Sequence, residues 1–117
     1  MKTIKFFAAT GLTLGAVCVF LGCHSLRRGE PLVGPMKISD AKIARGQEVF
    51  MQQCHQCHPH GEGGLGPAMN QSPAPRFLVK TQIRAGVGAM PSFTKAEISP
   101  EDLEALADYV LALRRHE

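Results

Sequence analysis

Apolar positions are spread unevenly along the 117-residue chain. An uncharged run, FFAATGLTLGAVCVFLGC, fills residues 6–23 behind a start that carries Lys2 and Lys5. Residues 24–37 follow with two Gly, two Pro and no apolar period, the pattern of a linker. A flexible coil of that length spans on the order of 20 Å. Beyond it the apolar residues recur at helical intervals. From Ser39, read as an N-cap, DAKIARGQEVFMQQC predicts a helix with Ile43, Gly46, Val49 and Phe50 on one face. Glycine is costly inside a helix, so Gly46 points to a close helix crossing. RFLVKTQIRAG predicts a second helix with Phe77, Leu78 and Ile83 apolar. Ser99-Pro100-Glu101-Asp102 supplies a cap, a proline at the first helical position and acid in the first turn of a third. There Leu103, Leu106, Val110 and Leu113 form a stripe with Tyr109 beside it, and Arg114 and Arg115 suit the C-terminal dipole.

Charge and composition narrow the function. Thirteen Lys and Arg against ten Asp and Glu leave a net charge of +3, which provides no nucleic-acid footprint. The length suits one domain and excludes a multidomain enzyme. With no Trp and one Tyr, a domain of this size needs a staple such as a metal, disulfides or a prosthetic group. The first 22 residues read as an export signal. The ending Phe20-Leu21-Gly22-Cys23 resembles the lipobox of bacterial lipoproteins, which implies lipid on Cys23, with an uncleaved membrane anchor as the competing reading. The expected organisation is a signal peptide at 1–22, a lipid-anchored tether at 23–37 and a folded domain at 38–117.

Cys54-His55-Gln56-Cys57-His58 is the C-x-x-C-H signature of covalent haem attachment. Two thiols on one turn can both add to vinyl groups along one porphyrin edge, and His58 then comes under the iron as an axial ligand. A redox dithiol is disfavoured because no strand precedes the motif, and zinc because no second cysteine pair or H-x3-5-H partner is present. Cys54 and Cys57 take the haem, Cys23 the lipid, and Cys18 leaves with the signal. Met69, Met90, His60 and His116 are the candidates for the second axial ligand. His60 is too close to His58 to cross the ring, Met69 follows Pro67 on the same side, and His116 stands beside Arg115 at the chain's far end. Met90 lies in GVGAMPSF, where glycines permit a tight backbone and Pro91 favours an extended conformation at Met90. It is the expected ligand.

Residues 38–115 resemble a class I cytochrome c, through Gly46 and Phe50, the CHQCH motif, Gly66-Pro67, Gln82-Ile83-Arg84 with Gly86, Met90-Pro91 with Phe93, and Leu106 with Tyr109. The resemblance implies an all-α fold whose N- and C-terminal helices cross at Gly46 over one covalent haem c. It implies that the Pro67 carbonyl accepts a hydrogen bond from the His58 ring. The stretch from His58 to Met90 is shorter than in most members, so an exposed haem edge is expected there. No tryptophan is available to meet a haem propionate, which leaves Arg84, Gln82 or Arg76.

The expected function is that of a monomeric, membrane-tethered monohaem carrier. It faces the periplasm or cell exterior and passes single electrons between redox partner proteins, membrane complexes among them. Lys37, Lys42, Lys80 and Lys95 offer a docking face or an ordinary solvated surface. A haem-bearing subunit of a membrane oxidoreductase complex is the alternative. A haem peroxidase or gas sensor needs an open iron, and no distal His or Arg for one is recognisable.

Overall fold

The computed structural model describes residues 34–116. The expectations for 1–33, including the signal, Cys23 and most of the tether, lie outside the described residues. The described residues form three α-helices: α1, Ala41–Gln53; α2, Arg76–Ala85; and α3, Pro100–Leu113. A single 3-10 turn, Pro59–Gly61, follows the CHQCH motif. Among the described residues the only β pairing is an isolated bridge between Val87 and Met90.

The caps explain where the helices start. Asp40, not Ser39, caps α1, because its carboxylate accepts from the Lys42 and Ile43 N–H groups at 2.8 and 3.0 Å. Ser99 caps α3 as expected, accepting from the Asp102 N–H at 3.0 Å. Ile98, one residue before that cap, is wholly buried and Leu103 largely so, the pairing of a hydrophobic staple. α2 ends at Gly86, whose φ of 72° lies in the left-handed region open to glycine.

α3 is the hub on which α1 and α2 both pack. A Cβ on Gly46 would strike the carbonyl oxygen of Ala105 and come within 2.8 Å of the Tyr109 Cβ, so the missing side chain lets the two backbones meet. Phe50 and Tyr109 stack beside this crossing with ring centroids 5.2 Å apart and planes tilted by 59°. Phe50, Leu106, Val110 and Leu113 are almost completely buried, each contributing about 1.5–3 kcal/mol relative to exposure. On α2 the inward residues are Val79 and Ile83, whereas Phe77 is 67% exposed and is not core.

Ion pairs tie the outer edges. Asp102 on α3 holds Arg45 at 2.7 Å; Glu104 holds Arg76 and Lys80 at 2.6 and 2.7 Å; Asp108 holds Lys42 and Arg76, each at 2.7 Å. Arg114 stands at the C-cap of α3. Its guanidinium reaches across to donate to the Ala74 carbonyl at 2.6 Å.

Candidate haem-binding site

α1 delivers the CHQCH motif. Its hydrogen bonding continues past Gln53, with the Cys54 N–H donating to Phe50 O at 2.8 Å and the His58 N–H to Cys54 O at 2.9 Å. That turn brings Cys54 and Cys57 to one side as free, half-buried thiols. Burial pushes the Cys54 thiol up to about 12, with the neighbouring Cys57 adding to the shift. His58 is 8% exposed, and its Nδ1 lies 2.9 Å from the Pro67 carbonyl oxygen. A carbonyl only accepts, so Nδ1 carries the proton and Nε2 keeps its lone pair. Gly66, two residues after the exposed Gly64, lies against the ring. A Cβ there would strike the ring Cε1 and sit 2.6 Å from Nε2.

The other candidate ligands occupy different settings. Met90 is half-buried at the edge of the core and exchanges two hydrogen bonds with Val87, at 3.0 and 3.2 Å. Gly88 between them has φ 59°, and a Cβ on Gly86 would lie 2.8 Å from Met90 O. Met69 is also half-buried, but its N–H and that of Asn70 both donate to Gly61 O, which folds it into the loop following His58. His60 is exposed with φ 39°. A His116 ring nitrogen lies 3.2 Å from Gly34 O, at the end of α3.

Of the three expected propionate partners, Arg76 is taken up by Glu104 and Asp108, and Arg84 by main-chain carbonyls. Gln82 has no side-chain hydrogen bond among the described residues, and it remains the one open to such a role. Lys42 and Lys80 are ion-paired, so the lysines do not form one free docking face. Sequence reasoning missed three residues around the site: the clamp by Arg84, the buried Asn70 and the buried Ile98. Only Ile98 had a local signal, its place just before a helix cap.

The donor set fits a haem. Two free thiols stand on one turn, and the buried imidazole beside them has its Nδ1 committed to Pro67, which leaves the Nε2 lone pair available to a metal. The family model described as "Cytochrome C oxidase, cbb3-type, subunit III" matches residues 41–110. Cytochrome c6 of Gloeothece citriformis is 34% identical over 87 residues, covering 68% of this chain and 76% of that protein. Cytochrome c6 of Cyanidioschyzon merolae is 33% identical over 84 residues, covering 62% and 75%. The chain belongs to the class I c-type cytochromes. The cytochrome's fold matches the solved structure of cytochrome c6 from the diatom Phaeodactylum tricornutum, with a TM-score of 0.53 and 28% identity, over 62% of this chain and 94% of that one. The family carries one covalently bound haem c and transfers electrons rather than catalysing a reaction.

Proposed function

We propose that this cytochrome attaches its haem through Cys54 and Cys57, binds the iron through His58 and Met90, and is held outside the cytoplasm by lipid on Cys23. Residues 1–22 are then a removed signal, 23–37 a tether and 38–117 the haem-bearing domain, acting as a monomer between redox partner proteins. His58 carries the reading. It is buried, its Nδ1 is committed to Pro67, and its Nε2 has no partner among the described residues.

When bound, the haem supplies an iron that takes up and gives up one electron. The chain's part is to hold both donors still. Pro67 fixes the imidazole and raises the basicity of Nε2. Met90 offers a soft thioether, which favours the reduced state, from a turn closed by its bonds to Val87. Cys54 and Met90 both pack against the core cluster that contains Phe50 and Leu106. No side chain is asked to make or break a substrate bond.

Mass analysis of the holoprotein tests the attachment, because replacing both Cys54 and Cys57 by Ala should abolish covalent haem. Met90→Ala should remove the weak long-wavelength charge-transfer band of the ferric protein and let the ferrous protein bind CO, while Met69→Ala should do neither. CO binding by the unaltered protein would overturn ligation by Met90.

The oxidase-subunit description of the matching family model favours a second reading, a haem-bearing subunit of a membrane oxidoreductase complex. Gentle solubilisation separates the two: a subunit stays with its complex at fixed stoichiometry, whereas a shuttle elutes alone.

A further inference from the structure

Arg84 stands near the end of α2 and has no carboxylate partner among the described residues. Its guanidinium donates instead to four main-chain carbonyls, those of Thr94 and Ile98 at 2.8 Å, Phe93 at 3.1 Å and Ser99 at 3.4 Å. All four lie in residues 93–99, which carry the chain from the Met90 turn to the cap of α3. That segment contains no helix or strand; the Thr94 and Ser99 carbonyls also accept from the Ile98 and Leu103 N–H groups, whereas Arg84 is the donor for those of Phe93 and Ile98 among the described residues. The residue before Arg84 adds a fifth link, because the Phe93 N–H donates to Ile83 O at 2.9 Å. On the other side of Met90 the chain is pressed against Gly86 and bonded to Val87. Met90 is thus held between a turn on one flank and a clamp on the other, and four of the clamp's five bonds come from a single side chain. Lysine could not reproduce it, since one ammonium nitrogen cannot reach carbonyls spread round a planar fork.

We infer that Arg84 is a positioning residue for Met90: it pins residues 93–99 to α2 and so sets how often the thioether leaves the iron. The inference rests on the reading of Met90 as the second axial ligand. The test mixes ferric holoprotein with imidazole, a small ligand that binds only when the thioether has left, and follows the rate optically. Arg84→Gln should speed binding by about tenfold or more, the scale of losing charge-assisted hydrogen bonds, and should weaken the long-wavelength band. Arg84→Lys should fall between it and the parent. Arg76→Gln, which breaks ion pairs on the same helix, should lower thermal stability and leave the rate near that of the parent. If Arg84→Gln binds no faster than the parent, or no faster than Arg76→Gln, the clamp is refuted. Should Arg84→Gln yield no holoprotein, Arg84→Lys decides, and a rate equal to the parent's refutes the clamp. Met90→Ala separates the two readings: if it keeps the parent's band and rate, ligation by Met90 fails. If it loses the band while Arg84→Gln behaves as the parent, only the clamp fails.

Discussion

A methyl group at Gly66 would enter the His58 ring, and one at Gly46 would enter the backbone of α3. Both substitutions overpack a site that cannot yield, so each should cost about 1–3 kcal/mol, measured as thermal unfolding of the holoprotein. Their spectra should differ. Gly66→Ala moves the imidazole and should change the visible spectrum, whereas Gly46→Ala, remote from the ring, should leave it unchanged. At this scale the chain is most legible where partners are close in sequence. The spacing of Cys54, Cys57 and His58 was enough to single them out, whereas the Pro67 carbonyl was expected only from the resemblance to class I cytochromes c, and the structure places it 2.9 Å from the ring. The carbonyl contacts of Arg84 and Arg114 were not legible, because a side chain that bonds distant main-chain carbonyls leaves no periodic trace.

Helices were legible from their stripes, and their edges were not. Ser39 and Asp40 are both good caps, and only the carboxylate's reach to two N–H groups chooses between them. Phe77 is apolar yet faces outward, since α2 uses Val79 and Ile83 to meet α3. The ion pairs between helices were also unreadable, because they depend on how the helices lie. They make a prediction of their own. Arg45 holds Asp102 below the usual carboxylate range, and Lys80 then Arg76 do the same for Glu104. Partial burial pushes Asp108 up, but bonds from Lys42 and Arg76 outweigh it and leave the carboxyl low. A carboxylate whose pKa is lower folded than unfolded adds stability that is complete above the unfolded value of about 4. That stability disappears as pH falls through the lower folded values. Melting temperature should therefore drop below about pH 4, more gently at high salt because these groups are partly exposed. Asp108→Asn should flatten that part of the profile.

For the whole molecule, the proposed lipid tether rests on Cys23. Protein taken from the membrane should begin at Cys23 and carry the added mass of acyl chains; an unmodified chain of full length would make residues 6–23 the anchor instead. The hub position of α3 has a consequence for how the molecule comes into being. Chains are made from the N-terminus, so residues 54–58 exist well before 103–113. Until then Gly46, Val49 and Phe50 have nothing to pack against, and a lone helix of α1's length is marginal in water. Until α3 packs down the two thiols lie on an open segment, and the last helix to be made is the one that shuts the door.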